Sequence, residues 1–345
     1  MSDNIEICCL YFKFIKLEFQ LKADLPAQRP AIRYPDKILL IGSCFTEHIG
    51  KRLEDVKFGT LSNPHGILFN PLSVCSSLER YIGKNLYDQN DLFYLNELWN
   101  NWDFHTRFSD TDADRALKGM NDSLAEAAAF IREAAWLIIT LGSSYQYFLQ
   151  EGPGGASGAV ANCHRAPAQW FEKRLLGIGE ITDNLFRTIE LIRSVNPGIN
   201  LIFTVSPVRH IRDGVVNNNR SKARLIEAVH EVVAHTAYAS YFPAYELIID
   251  ILRDYRFFDI DMVHPNYSAT QFVWEHFSRT YFEEDTAGLV KQLADIHIAV
   301  NHKPRFPGTE AHRKFLRSYA EKVDALGRLH PYLDISKEKT YFKIN

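Results

Sequence analysis

Two short apolar runs in the sequence each end at a glycine that small polar residues follow. Residues 38–41 precede Gly-Ser-Cys at 42–44, and residues 136–141 precede Gly-Ser-Ser at 142–144. Such runs are typical of strands buried on both faces of a parallel sheet, and glycine lets the backbone turn sharply at the strand end. Because open α/β sheets bind ligands at the carboxyl ends of their strands, the pattern predicts a site there.

Segments of helical periodicity separate the predicted strands. Residues 57–62 and 201–205 also predict strands, while residues 241–251 are apolar and fit a strand or a helix equally well. The segments with a helical spacing of apolar residues are 45–56, 116–131, 168–195, 221–235 and 266–283. Strand and helix alternate along the chain, which favours a doubly wound parallel sheet with helices on both faces.

The overall composition excludes several classes of protein. The 345 residues favour one domain with an appendage, and the hydrophobic fraction of 46% permits a large core. Lys and Arg number 39 against 42 Asp and Glu, a formal charge of −3, so we expect no nucleic-acid partner and no membrane binding. Charged residues interrupt the apolar start of the chain, so neither a signal peptide nor a membrane span is predicted.

Cysteine usage indicates a reducing compartment. The five cysteines, Cys8, Cys9, Cys44, Cys75 and Cys163, are odd in number and scattered, unlike a disulfide framework. We therefore predict a cytoplasmic protein. No two cysteines have the spacing of a zinc site, so we predict no metal, and nothing in the sequence indicates another cofactor.

A motif near the end of the predicted core supplies groups for acyl-transfer chemistry. Asp261 precedes His264 by three residues, a spacing at which the carboxylate can reach the imidazole Nδ1–H, and Pro265 fixes the exit from the turn. Acyl transfer requires a nucleophile, a base, a group that orients the base, and N–H donors for the oxyanion. Ser43 or Cys44 would be the nucleophile, His264 the base and Asp261 the orienting group.

At these residues the chain resembles the GSCFA family of the SGNH or GDSL hydrolase superfamily. The family motif Gly-Ser-Cys-Phe-Ala stands here as Gly-Ser-Cys-Phe-Thr at 42–46. Further support comes from Asn-Pro-His-Gly at 63–66, Leu-Gly-Ser-Ser at 141–144, Ser-Pro-Val-Arg-His at 206–210 and the motif at 261–265. The resemblance implies a three-layer α/β/α SGNH-hydrolase-like (flavodoxin-like) parallel sheet with a helical C-terminal extension.

The resemblance covers residues 17–283, which would form the GSCFA/SGNH-like domain, and leaves two flanking segments. Residues 1–16 are predicted to be an N-terminal extension that is dispensable for folding, because their charges and missing pairing cues give them no place in the core. Residues 284–345 are predicted to form a helical C-terminal tail that packs on the core or on a second subunit. The oligomeric state stays open.

The resemblance also implies an oxyanion hole. Gly66 corresponds to the glycine of the superfamily's second block, whose backbone N–H points at the oxyanion. Ser144 stands where the third block has an asparagine, and its hydroxyl donates one hydrogen bond where an amide offers two. We expect Gly42, Gly66 and Gly142 to line one cleft with His264.

The identity of the nucleophile is open between Ser43 and Cys44. An ungapped match to the superfamily's first block places Cys44 at its serine, and Cys44 would also contribute to the oxyanion hole. A cysteine at a helix N-terminus beside a histidine can ionise near neutrality. The alternative for Cys44 is a small buried core residue, as free cysteine often is.

We predict an esterase, or an acyltransferase with the same covalent acyl-enzyme, that acts on a small-molecule or carbohydrate ester. The predicted substrate-binding residues are Gly142, Ser143, His164, Arg209 and His210. Two alternatives stay open: a non-catalytic SGNH-fold protein that binds a glycan or metabolite, and a thiol enzyme whose Cys44 does redox or thioester chemistry. The Gly-rich segment 152–158 favours either a lid over the site or a plain surface loop.

Overall fold

The computed structural model describes residues 20–153 and 156–343. Within them, the strands in chain order are β1 (Lys37–Gly42), β2 (Gly59–Ser62), β3 (Phe93–Leu95), β4 (Leu98–Asn100), β5 (Trp136–Leu141), β6 (Tyr145–Leu149), β7 (Gly158–Val160), β8 (Phe171–Leu175), β9 (Asn200–Val205) and β10 (Ala239–Phe242). The helices are α1 (Cys44–Asp55), α2 (Pro71–Gly83), α3 (Ala113–Glu133), α4 (Ile178–Val195), α5 (Gly214–Ala234), α6 (Ala244–Glu246), α7 (Tyr267–Tyr281), α8 (Glu284–Asn301), α9 (Glu310–Leu329) and α10 (Ser336–Lys343).

The centre of the fold is a five-stranded parallel sheet in the order β2-β1-β5-β9-β10. Numbered along the chain among themselves, these strands have the order 2-1-3-4-5, which is that of flavodoxin-like folds. The order reverses between β1 and β5, and a ligand crevice opens at such a switch point beyond the carboxyl ends of the strands. The predicted α/β/α architecture is confirmed, and the turn after β1 lies at this crevice.

Alternating side chains of β1 explain why helices cover both faces of the sheet. Ile38 and Leu40 pack into a core with α1, α7 and the C-terminal helices, whereas Leu39 and Ile41 pack into a second core with α2, α3, α4 and α5. All four side chains are fully buried. Burial of one such side chain contributes about 1.5–3 kcal/mol, so β1 is fixed from both sides.

The C-terminal region is helical and shares the first of these cores. Leu289 on α8, Val323 on α9 and Phe342 on α10 are buried in the same cluster as Leu53 of α1. These three helices therefore share a buried cluster with α1, while the division into domains and the boundary at residue 283 stay predictions. Residues 1–16 lie outside the described residues. Among the described helices, none combines the length and apolarity needed to span a bilayer.

Two segments differ from the sequence prediction. Residues 168–195 were expected to form one long helix, but β8 occupies Phe171–Leu175 and α4 begins only at Ile178. β8 pairs with β6, and β6 with β7, in a small antiparallel sheet. The backbone hydrogen bonds of this sheet stabilise β8 as a strand although its sequence is charged. The ambiguous residues 241–251 contain the end of β10, then α6 and a π-helix at Leu247–Leu252.

Candidate active site

The turn from β1 into α1 requires glycine at its first residue, Gly42. Gly42 has φ +147°, and a Cβ placed there would lie 2.2 Å from the Thr140 carbonyl oxygen of β5. The Ser43 N–H donates to that same carbonyl at 3.1 Å. Ser43 then caps α1, its Oγ accepting from the Phe45 N–H at 3.3 Å. The turn therefore holds the start of α1 against the carboxyl end of β5.

Ser43 and Cys44 differ in exposure and in their hydrogen bonds. Ser43 is 4% exposed and its hydroxyl is engaged as the helix cap, whereas the Cys44 side chain is half-buried. The Cys44 N–H, the first of α1, makes no backbone–backbone hydrogen bond among the described residues. Burial raises the pKa of the Cys44 thiol, and the Glu47 carboxylate raises it further. The expected ionisation near neutrality therefore needs more than the helix N-terminus.

Asp261 and His264 form a hydrogen-bonded pair on the turn before α7. The carboxylate Oδ2 lies 2.6 Å from His264 Nδ1, and Oδ1 accepts from the Val263 and His264 N–H groups at 2.9 and 3.0 Å. These bonds, led by the His264 backbone N–H, hold the pKa of Asp261 at about 2. A neutral imidazole that donates through Nδ1 has Nε2 as its acceptor, so Nε2 is the nitrogen available for a proton.

Arg209 supports this turn from the loop after β9. Its Nη1 donates to the Met262 carbonyl at 3.3 Å, and its guanidinium lies 4.0 Å from the centre of the Phe258 ring. The backbone at Met262 has φ +58°, a conformation that costs energy for a side chain other than glycine. The Arg209 contacts thus help to hold His264 in place, in addition to the substrate-binding role predicted for Arg209.

A cleft of about 710 Å³ joins these elements. Of the predicted site residues, it is lined by Ser43, Cys44, Ser143, Arg209, His210, Asp261 and His264. Its volume is in the range of small-molecule sites, and aromatic rings from Phe69, Tyr145 and Tyr147 contribute to its wall. The structure therefore brings the proposed nucleophile, base and orienting group to one cleft.

Gly66, Gly142 and Ser144 are not among the residues that line the cleft. The Gly66 N–H donates to the Asn63 carbonyl at 2.7 Å within a turn, so it is not available to an oxyanion in this arrangement. Ser144 is fully buried, and its Oγ donates to the Ser221 carbonyl at 3.0 Å. Gly142 packs directly against Phe69, whose side chain would lie 2.8 Å from a Cβ at this position. We therefore leave Gly66 and Ser144 out of the proposed oxyanion hole.

His164 also lies outside the cleft, contrary to the substrate-binding prediction. It is 6% exposed, its Nε2 lies 2.7 Å from the Asn101 carbonyl, and its Nδ1 lies 3.4 Å from the Thr106 hydroxyl. Both ring nitrogens thus have partners within the protein. Its neighbours Asn162 and Cys163 line the cleft instead.

We expect His164 to make the protein less stable as the pH falls from about 6.5 towards 4. Burial lowers its pKa from 6.5 to about 4, so between these values the unfolded chain binds the proton and the folded protein does not. At about pH 5 the loss is on the order of 2 kcal/mol. His164→Gln lacks this penalty, so its deficit in melting temperature should be largest near neutrality and narrow at about pH 5. A deficit that is constant with pH would contradict the expectation.

His210 is a second histidine in the cleft. Burial, followed by the Lys222 charge, lowers its pKa to about 4, so its ring is neutral near pH 7. The ring packs against Phe69 at a centroid distance of 5.0 Å, and the His210 N–H donates to Asn218 Oδ1. No carboxylate orients this ring in the part of the chain that the structure describes, which distinguishes it from His264.

Two cleft-related residues escaped the sequence analysis. Asn70 is 2% exposed, lines the cleft, and has a side-chain Oδ1 without a hydrogen-bond partner among the described residues. Lys222 on α5 is 1% exposed. Signals for both were present: Asn70 precedes Pro71, a typical first residue of a helix, and Lys222 shares the apolar spacing of Leu225 and Val229.

The donor set of the cleft gives no indication of a metal centre. Among the residues that the structure describes, no three His, Cys, Asp or Glu side chains are grouped so as to hold a metal ion. The cleft offers a thiol, an imidazole paired with a carboxylate, and a buried amide. These groups suit nucleophilic acyl chemistry.

The fold and the cleft together define an α/β/α protein with a thiol, an imidazole and a carboxylate at the carboxyl ends of its strands. The model of the GSCFA family matches residues 37–277, and the chain belongs to this family. The model "GSCFA domain protein, C-terminal domain" matches residues 293–345. No curated protein matches the sequence.

Among solved structures, the chain is similar to an acetyl xylan esterase (Est2A) from the rumen bacterium Butyrivibrio proteoclasticus. The TM-score is 0.34 and the sequence identity is 12%. The match covers 71% of this chain and 63% of the esterase chain, so this protein spans less than two thirds of that structure.

Proposed function

We propose that the protein is an esterase, or an acyltransferase of the same chemistry, that forms a covalent acyl-enzyme on Cys44. The observation that carries the proposal is the Asp261–His264 pair, with Oδ2 2.6 Å from Nδ1, in the same cleft as the half-buried thiol. This is the arrangement that nucleophilic acyl transfer needs: a base oriented by a third group, with its second nitrogen available to the nucleophile.

In the first step, His264 Nε2 takes the proton of the Cys44 thiol and Sγ attacks the acyl carbonyl carbon. The carbon–oxygen bond to the alcohol then breaks, and the alcohol leaves with the proton held by His264. In the second step water, or an acceptor hydroxyl, loses a proton to His264 and attacks the thioester carbonyl. The carbon–sulfur bond breaks, Cys44 regains its proton, and the acid or new ester is released.

Two donors are proposed for the oxyanion: the Cys44 N–H and the Asn70 side-chain amide. The Cys44 N–H lies at the N-terminus of α1, where the helix dipole favours negative charge. Asn70 is the N-cap residue of α2, yet its side chain makes no cap hydrogen bond, although asparagine is among the best capping residues. We propose that its Nδ2 group donates to the oxyanion instead. These donors replace Gly66 and Ser144 of the sequence prediction.

Asn70→Ala is expected to lower kcat by about 10²–10³-fold with a small change in KM, as loss of one oxyanion donor does. Asn162→Ala is the matched control, because this asparagine lines the same cleft but donates to the Thr106 hydroxyl. Steady-state kinetics on p-nitrophenyl acetate measure both variants, and thermal melting checks that each is folded. Equal losses in the two variants would argue against Asn70 as an oxyanion donor.

The proposed substrate is a small-molecule or carbohydrate ester. The cleft volume of about 710 Å³ accommodates such a molecule, and Tyr145 and Tyr147 add aromatic side chains to its wall beside polar groups. Arg209 and His210 at its wall are proposed to contact the alcohol portion of the substrate.

The test of the proposal is turnover of p-nitrophenyl acetate, with mass spectrometry of the intact protein and of the peptide that contains Cys44. A burst of p-nitrophenol and one acetyl group on Cys44 would support the acyl-enzyme. Addition of sugar alcohols separates transfer from hydrolysis, because a transferase gives an acetylated sugar. Absence of both turnover and adduct would refute the proposal.

A non-catalytic binding protein is the second candidate, and three observations favour it. The Gly66 N–H and the Ser144 hydroxyl are engaged within the protein, and burial raises the pKa of Cys44. A glycan or metabolite that binds, as measured by calorimetry, without turnover or labelling would support this function. Labelling of Cys44 by iodoacetamide without ester turnover would instead favour the thiol enzyme.

A further inference from the structure

A buried lysine lies beneath the cleft without a carboxylate partner. Lys222 is 1% exposed, and its Nζ donates to the Gly142 carbonyl at 2.5 Å and to the Ser206 carbonyl at 2.7 Å. Within the described chain, no Asp or Glu pairs with it. Burial of an ammonium group costs free energy unless a nearby negative charge compensates it.

The two carbonyls locate Lys222 relative to the nucleophile. Gly142 directly follows β5 and Ser206 directly follows β9, so Nζ lies at the carboxyl ends of the two strands. The turn that carries Cys44 is held against the same end of β5 by the hydrogen bond from Ser43 to Thr140. Lys222 and Cys44 affect each other's ionisation, and Cys44 is the group that raises the pKa of this lysine.

We propose that the Lys222 ammonium is the counter-charge that stabilises the Cys44 thiolate from beneath the strand ends. Lys222 is then a positioning residue, since it acts on the substrate only through Cys44. The inference rests on the proposed function, because it explains how a half-buried thiol becomes an effective nucleophile. Burial lowers the pKa of Lys222 to about 7, and a thiolate opposes that effect, so the two charges support each other.

Other charged and titratable groups line the cleft with Cys44, including Lys173, Arg209, Arg212, Asp213, Asp261 and His264. Glu47 on α1 raises the pKa of Cys44, against the effect of Lys222. His210 is kept neutral near pH 7 by burial and then by Lys222, and the Tyr245 ring lies 6.0 Å from Nζ. The Phe45 and Cys44 N–H groups lower the pKa of Cys44, and Lys222 is the side chain that lowers it further, so the removal of Lys222 should have a measurable effect.

Lys222→Met removes the charge and keeps an unbranched apolar side chain. We expect the pH midpoint for alkylation of Cys44 by iodoacetamide to rise by about one unit or more, and the rate at neutral pH to fall about tenfold. Mass spectrometry of the Cys44 peptide measures this, with Cys163 in the same cleft as the internal reference. An unchanged Cys44 midpoint in folded Lys222→Met protein would overturn the proposal.

The variant leaves two carbonyls without a donor and can lose its fold, so a second measurement uses Cys44→Ser. Without the thiolate, the pKa of Lys222 should fall, which NMR of isotope-labelled lysine detects in the folded protein. An unchanged lysine pKa would also overturn the proposal.

These results are independent of ester turnover. A shifted thiol midpoint without esterase activity would support the charge pair and refute the proposed function. Cys44-dependent turnover with no shift in Lys222→Met would do the reverse.

Discussion

Cys44→Ala is expected to lower turnover of p-nitrophenyl acetate by at least about 10³-fold, as loss of the nucleophile does in enzymes with an oriented base. Cys44→Ser should also lose activity by about 10² or more, because a hydroxyl in the same position is far less ionised than a thiol. The acetyl adduct at Cys44 should be absent from the alanine variant. The size of the effect follows from the role of Sγ as the atom that forms the covalent bond.

Ser43→Ala is the matched control, since Ser43 is the adjacent residue of the same turn. It should keep turnover within a few-fold and lose about 1 kcal/mol of stability, because its hydroxyl caps α1. Circular dichroism and thermal melting would show both variants to be folded. The opposite result, an active Cys44→Ala and an inactive folded Ser43→Ala, would assign the nucleophile to Ser43 and leave Cys44 as a core residue.

The sequence predicts the sheet well where strands are buried on both faces. β1, β5 and β9 are mostly apolar, and their short length and the small or turn-forming residues that follow them distinguish them from helices. β8 was missed because Phe171–Leu175 has charged residues at its centre and follows the helical spacing of the next segment. Its strand conformation depends on pairing with β6, a tertiary contact that local periodicity does not contain.

The residues of the candidate site also differ in whether local sequence is enough to predict them. Asp261 and His264 were found because their hydrogen bond is local, within one turn of the chain. The direction of the Gly66 N–H depends on how its turn closes onto Asn63, which the glycine alone does not specify. Lys222 was missed because its burial follows from the positions of two strand ends, distant in sequence from α5.

His264→Ala is expected to lower turnover by about 10³-fold or more, because the base that deprotonates Cys44 and the attacking water is lost. Activity of this variant should rise with pH, since hydroxide then replaces the imidazole in forming the thiolate. Alkylation of Cys44 at neutral pH should slow in parallel. The matched variant His210→Gln alters the second histidine of the cleft, whose ring no carboxylate orients among the described residues, and should change KM more than kcat.

Asp261→Asn probes the orienting group at nearly constant shape. The pKa of Asp261 is about 2, so the wild-type carboxylate is ionised throughout any assay near neutrality. An asparagine oxygen can still accept from the Val263 and His264 N–H groups, but its NH₂ then faces His264 Nδ1 and favours the tautomer with the proton on Nε2. That tautomer cannot accept a proton from Cys44, so kcat should fall by about 10²–10⁴-fold with little change in melting temperature. If Asp261→Asn and His264→Ala retain turnover while His210→Gln abolishes it, the base is His210.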